Sequence, residues 1–217
     1  MDRQEAIVEF ELRRSGALTA KELAVSLNAS QPTVSRILAR FKGGKIQRLG
    51  SARSSRYALF RNIPGLGSGW PLYEIDSEGK AHSAGHLNCL EARQWHLEQD
   101  NPWETLRWDE FTDGLYPDLP WFLDDLRPQG FLGRSFARKY GKLMGLPEDP
   151  RSWHANDIIT SLIRYGHNLQ GSFILGQDML ASVQEKMLTT PDALPAACRI
   201  KAYPAIADST IAGEWPG

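Results

Sequence analysis

Leu18–Phe41, LTAKELAVSLNASQPTVSRILARF, is the stretch on which the fold turns, because it carries its own punctuation. Thr19-Ala20-Lys21-Glu22 fits a capping box. The Thr19 hydroxyl can accept from the Glu22 backbone, and the Glu22 carboxylate can reach back to the Thr19 N–H. Leu23, Ala24 and Leu27 then recur at three- and four-residue steps, which predicts a short amphipathic helix. Asn28-Ala29 supplies a tight turn. Ser30 is expected to cap the next helix, with Pro32 in its first turn, where a missing N–H is harmless. Val34, Ile37, Leu38 and Phe41 make its buried stripe, which turns Gln31, Thr33, Ser35, Arg36 and Arg40 outward. Upstream, Ile7, Val8, Phe10 and Leu12, with Leu18 beyond, predict a first helix of about ten residues stopped by Ser15-Gly16. Downstream, Lys45–Leu49 and Ser55–Leu59 alternate around the small polar run Gly50–Ser54, which reads as a β-hairpin.

This layout resembles the winged helix-turn-helix domains of bacterial transcription regulators, over residues 1–62. The resemblance implies that the third helix lies in the major groove of double-stranded DNA while the second braces it against the backbone. The implied DNA-binding set is Ser30, Gln31, Thr33, Ser35, Arg36, Arg40, Lys45, Arg53 and Arg56. Gln31 has the fork to read adenine and Arg36 to read guanine, and Thr33 or Ser35 can bond a phosphate or a base edge. Arg53, near the hairpin tip, would meet the sugar-phosphate backbone or the minor groove. Some winged helices bind protein instead, usually with a less basic outward face.

Charge supports the nucleic-acid reading. Residues 1–61 hold 12 Lys/Arg against 5 Asp/Glu, a balance of +7, so the remaining residues carry −8 of the net −1. No acidic residue occurs from Leu23 to Tyr73, whereas Arg36, Arg40, Lys42, Lys45, Arg48, Arg53, Arg56 and Arg61 all do. A basic block on an acidic chain suits a polyanion partner; a merely solvated basic face is the plainer alternative.

The 217 residues, 41% hydrophobic and 24% charged, have the composition of a globular protein with room for two compact units. No run of 18 apolar residues exists to span a membrane, and Met1–Glu5 does not open a secretory signal, so a cytoplasmic location is expected. Cys89 and Cys198 lack metal-site spacing and read as free buried thiols. The five histidines show no shared spacing either, and no metal or cofactor is expected.

Pro64-Gly65-Leu66-Gly67-Ser68-Gly69 reads as a linker, so that residues 63–69 separate the head from a second module at 70–217. A phosphate cradle is excluded, because no Lys follows and no helix opens behind the glycines. Trp70–Ile75, Ala81–Leu90 and Glu91–Glu98 are expected as strands of a small antiparallel sheet with a Glu78-Gly79 turn. Helices are expected around Trp121–Leu126, through Phe131, Leu132, Phe136 and Tyr140, at Ala155–Tyr165 and at Gln177–Leu188, with a short strand at Phe173–Leu175. Trp95, Trp103, Trp108 and Trp121 could suggest a base-stacking platform, but they are interleaved with Glu98, Glu104, Asp109 and Glu110. Core or interface packing is therefore expected. The fold class is α+β.

Asp113–Gly141, DGLYPDLPWFLDDLRPQGFLGRSFARKYG, resembles the N-terminal subdomain of HipA-family serine/threonine kinase toxins. The residues that carry the resemblance are Trp121, Phe122, Leu126, Pro128 and Gly130, with a departure at Arg127, where a second Leu is common. The order of a helix-turn-helix, then GSGWPLYEID, then LPWFLDDLRPQGFLGR resembles the YjjJ-like branch, in which a DNA-binding head joins the kinase. The Gln-Pro-Lys-like phosphate loop and catalytic Asp that such kinases need do not occur before Gly217, so no catalytic residue is assigned. Asp124-Asp125, the one adjacent acid pair with metal-site interest, reads better as a cap or solvated face. The expectation is a regulatory portion that binds operator DNA and packs against or restrains a HipA-like kinase core in cis or trans, with a homodimer expected. The alternative is the N-terminal part of a longer kinase toxin whose ATP-binding region lies beyond residue 217.

Overall fold

The computed structural model describes residues 2–41, 45–50, 55–99, 113–168, 171–189 and 196–212. The fold is α+β, with helices beside antiparallel sheets. The chain divides into two compact units: Met1–Pro71 with Ala84–Pro120, and Leu72–Ser83 with Trp121–Gly217. Among the described residues no helix is long and apolar enough to cross a membrane.

The first unit opens with α1 (Arg3–Ser15), β1 (Leu18–Thr19), α2 (Ala20–Ser26), α3 (Gln31–Leu38), β2 (Ile46–Leu49) and β3 (Arg56–Leu59). The strands form an antiparallel sheet in the order β1-β3-β2, with Leu18 opposite Tyr57 and Ile46 opposite Leu59. Val8, Leu12, Leu23, Val34, Ile37 and Leu59 close the core, with Leu27, Phe41 and Tyr57 packed around it. Three local expectations change. Phe10 is 62% exposed, because Val8 and Leu12, one helical turn apart, define the buried face of α1 and a residue two positions on points away from it. Leu18 belongs to β1 and not to the first helix. Ser30 makes no side-chain cap to the α3 backbone; its hydroxyl instead meets that of Thr33 at 2.9 Å.

Pro64–Gly69 forms a turn within this unit. The Leu66 and Gly67 N–H groups donate to the Ile63 carbonyl at 3.0 and 3.1 Å, and the Trp70 indole donates to Leu66 at 2.9 Å. The later strands are β4 (Gly69–Ile75), β5 (Ala81–Cys89), β6 (Trp95–Glu98) and β7 (Leu115–Tyr116). In this unit β6 lies between β5 and β7. The expected strand at Glu91–Glu98 starts only at Trp95. Glu91–Gln94 is a turn with Ala92 (φ 53) and Arg93 (φ 63) both left-handed. That is type I′ geometry without the Asn-Gly pair that advertises it, so alternation ran through it unseen. Trp95 is fully buried, and Arg61 lies over its ring at 5.7 Å. Trp103 and Trp108 lie outside the described residues.

In the second unit, β4 and β5 meet across a turn in which the Asp76 N–H donates to Lys80 at 3.0 Å. β8 (Phe173–Leu175) pairs with β4, Leu72 opposite Leu175. The helices are α4 (Trp121–Asp124), α5 (Gly130–Phe136), a π-turn (Ala137–Gly141), α6 (Lys142–Met144), α7 (Ala155–Tyr165), α8 (Gln177–Thr189) and α9 (Ala196–Ile211). Phe122, Leu123, Phe136, Trp153, Ile158, Ile159, Leu162 and Met179 are buried. Cys89 is buried as expected, whereas Cys198 is exposed because α9 turns most of its surface to solvent.

Candidate nucleic-acid interface

The exposed face of α3 is built by the turn that precedes it. Asn28 adopts φ 48, a left-handed conformation that Asn tolerates, and the Ala29 N–H closes on the Ala24 carbonyl at 3.0 Å. Val34, Ile37 and Leu38 are then fixed inward, so Gln31, Ser35 and Arg36 are exposed and Thr33 is half-buried. At about 100° per residue, Arg36 stands roughly opposite the centre of the buried stripe. Among the described residues, nothing hydrogen-bonds or pairs with its guanidinium.

Lys45 and Arg56, by contrast, are engaged within the fold. Lys45 Nζ donates to Glu9 Oε2 at 2.7 Å, and Arg13 donates to Oε1 of the same carboxylate at 2.6 Å. Glu9 is buried, and the hydrogen bond from Lys45 is the main reason its carboxyl titrates below the usual range. Arg56 is half-buried and reaches the Ala17 carbonyl at 3.4 Å. It lies near Glu22, whose carboxyl is held low chiefly by the Thr19 N–H, and the Thr19–Glu22 capping box is present in full. Arg40 meets Asp2 at 3.3 Å with both side chains about half exposed, a pairing of little energetic weight. Arg53 lies outside the described residues. Arg48, exposed on β2 and donating to Ser55 Oγ at 2.9 and 3.0 Å, is a cation that the sequence-derived set leaves out. Its place at an alternating strand position was the available signal.

The motif residues of the second unit have structural work to do. Phe122 is buried against Phe173 with ring centroids 5.2 Å apart, and Trp121 packs edge-on to Phe122 at 5.7 Å while staying 38% exposed. Leu126 is half-buried and Pro128 buried, and Gly130 sits at φ 63. Arg127 donates to the Trp153 carbonyl and to Asp124, both at 2.7 Å, which gives the departure from Leu a physical role. Asp124 is thereby paired and Asp125 is exposed. Among the described residues, no three or more His, Cys, Asp or Glu cluster in a way that could hold a metal ion.

Residues 66–184 match a family model described as YjjJ-like toxin, middle domain. Over 216 residues the chain is 31% identical to Toxin YjjJ of Escherichia coli (strain K12), an alignment covering 95% of this chain and 44% of that protein. The chain thus spans less than half the length of the curated relative it matches. No solved structure matches.

Proposed function

The chain belongs to the YjjJ-like toxin family, and from that premise we propose that it is the DNA-binding regulatory portion of a HipA-like toxin–antitoxin protein. In this reading α1 to β3 form a winged helix-turn-helix that docks α3 in the major groove of operator DNA. The second module packs against or restrains a kinase core, in cis or in trans. The observation that carries the reading is Arg36: exposed, unengaged among the described residues, and flanked on one helix by the exposed Gln31 and Ser35. Lys45 and Arg56 then act on the fold, while Arg36, Gln31, Ser35, Arg48 and the weakly paired Arg40 are among the groups left to meet DNA.

A bidentate base contact by Arg36 would contribute about 1–3 kcal/mol of discrimination. The test is a mobility-shift titration with duplex from upstream of the chain's own gene against a scrambled duplex, at several salt concentrations. Steeply salt-dependent binding is expected, with preference for the upstream duplex lost in Arg36→Ala combined with Arg40→Ala. Unchanged affinity and preference in that double variant would remove α3 as the reading surface.

A second reading, that the full protein is a HipA-family serine/threonine kinase toxin, is favoured by the length of the E. coli relative, of which this chain matches 44%. Reading the gene past codon 217 tests it: a Gly-rich phosphate loop with downstream catalytic Asp residues is expected, and an in-frame stop refutes it.

A further inference from the structure

The second unit holds its own concentration of positive charge. Between Leu126 and Pro147 there are five Lys/Arg and no Asp/Glu. Arg127 is occupied by Asp124 and the Trp153 carbonyl. The other four, Arg134, Arg138, Lys139 and Lys142, are all exposed on the continuous helical run from α5 through the π-turn to α6.

Their spacing makes a row. Arg134, Arg138 and Lys142 recur at every fourth residue, a pattern that drifts round a regular α-helix by about 40° per step. The more loosely wound π-turn at Ala137–Gly141 works against that drift. Like charges at this spacing cost the helix a few tenths of a kcal/mol per pair. Among the described residues, no carboxylate forms an ion pair with any of the four. Arg138 meets only the Ser135 hydroxyl at 3.2 Å, and Lys139 lies over the Tyr140 ring at 5.2 Å. Arg151 takes the Asp149 oxygens at 2.7 Å and chiefly holds that carboxyl low, to which Arg134 adds only slightly. The run is also anchored to the core, because Phe136 is fully buried and packs on Tyr140 and Trp153 at 5.1 and 6.3 Å.

We propose that Arg134, Arg138 and Lys142, with Lys139 beside the row, form a second contact for the phosphate backbone of duplex DNA, separate from α3. From Arg134 to Lys142 the run rises about 12 Å, a length over which duplex DNA presents about seven phosphate charges. A membrane surface fits less well. A lipid-binding helix inserts a continuous apolar face, and here Phe136 and Ala137 of that face are buried in the core. The exposed Phe131 and Leu132 stand at one end of the run and Leu143 at the other.

The proposal extends the DNA-binding reading but does not depend on Arg36, and one experiment separates the two. Binding of the full chain to a scrambled duplex of about 40 base pairs is measured as a function of salt. The proteins are wild type, Arg36→Ala, and Arg134→Gln/Arg138→Gln/Lys142→Gln. The triple variant should lower the slope of log affinity against log salt by about 2–3 and weaken binding at least tenfold at the lowest salt. Arg134→Lys/Arg138→Lys, which keeps the charge, should bind like wild type and controls for folding. Unchanged slope and affinity in the triple variant overturn the second contact while leaving α3 intact. Loss in the triple variant with none in Arg36→Ala on this scrambled duplex supports the second contact, while α3 is judged separately by preference for the upstream duplex. Sedimentation with phosphatidylserine vesicles that the triple variant loses, with duplex binding unaltered, overturns the proposal in favour of a bilayer.

Discussion

Replacing Gly133 and Gly141 by alanine, eight residues apart on one helical run, should move stability in opposite directions. Alanine in a helix interior is ordinarily favoured over glycine by about 1 kcal/mol. At Gly141 a Cβ would meet its nearest neighbours, the carbonyl oxygens of Pro147 and Leu146, at 3.6 and 3.8 Å, which is ordinary contact. Gly141→Ala should therefore gain most of that 1 kcal/mol. At Gly133 the same atom would lie 2.4 Å from the Pro128 carbonyl carbon and 2.9 Å from its oxygen. Carbon atoms pack at about 3.5–4.0 Å, so two backbone segments must part by about 1 Å. Neither segment can yield alone, because Pro128 is buried and its neighbour Arg127 is bonded to the Trp153 carbonyl. Overpacking of this kind reaches about 3 kcal/mol, which leaves a net loss near 2 kcal/mol for Gly133→Ala. Because the chain has two units, a single melting curve is a poor readout, and hydrogen exchange of the peptide covering residues 130–144 is the suitable one. Protection there should fall about thirtyfold in Gly133→Ala and rise in Gly141→Ala. If Gly133→Ala protects this peptide as well as or better than wild type, the close approach of α5 to Pro128 is wrong.

Three further outcomes are expected. Glu9→Gln should destabilise the first unit by about 1–2 kcal/mol at neutral pH, since two charge-assisted hydrogen bonds from half-exposed partners weaken. Because the folded carboxyl titrates below its ordinary 4.5, its contribution is complete above that value and disappears as pH falls through the folded pKa. The difference between variant and wild type in urea unfolding followed from pH 7 to pH 3 should therefore shrink with acid, and a constant difference would contradict the assignment. Maleimide should label Cys198 readily in the folded chain and Cys89 only after denaturation, as Cys89 is fully buried with a thiol pushed up to about 11; equal labelling of both in intact protein would go against this placement. Arg127→Leu should lower stability of the second unit by about 1–3 kcal/mol, leaving the Trp153 carbonyl without its donor, as read by exchange of the amides in α4.

What the sequence made legible was what local chemistry dictates. The Thr19–Glu22 box, the Asn28 turn and the inward positions of Val34, Ile37 and Leu38 all depend on residues within one or two helical turns, and all are present. Helix α7 and strand β8 also fall where periodicity puts them. What stayed hidden depends on distant partners or on backbone shapes that ordinary residues adopt without advertisement. Lys45 reads as a surface cation until Glu9, 36 positions earlier, is seen to hold it. Arg56 likewise is drawn to Ala17, 39 positions away. The stretch before Trp70 looks like a tether by composition alone, because the hydrogen bonds of Leu66 and Gly67 to Ile63 leave no mark in a list of residue types. The left-handed Ala92-Arg93 pair and the π-turn have no compositional signature. For the interface, residue type and helical position indicated which side chains face outward, but not which of them are already engaged.

Gln94 reaches across 77 positions to accept the Ala17 N–H at 2.7 Å, and it crowds Gly16 so closely that any Cβ there would strike its amide. The elbow that ends α1 is thus completed by a residue encoded far downstream of β3. A recombination event that exchanged the first sixty codons for those of another regulator would bring in an elbow shaped for a different bolt. Descent with the head intact therefore favours inheriting Gly16, whose backbone sits at φ 78, together with Gln94, whose flexible amide could swing aside only by giving up its hydrogen bond to Ala17.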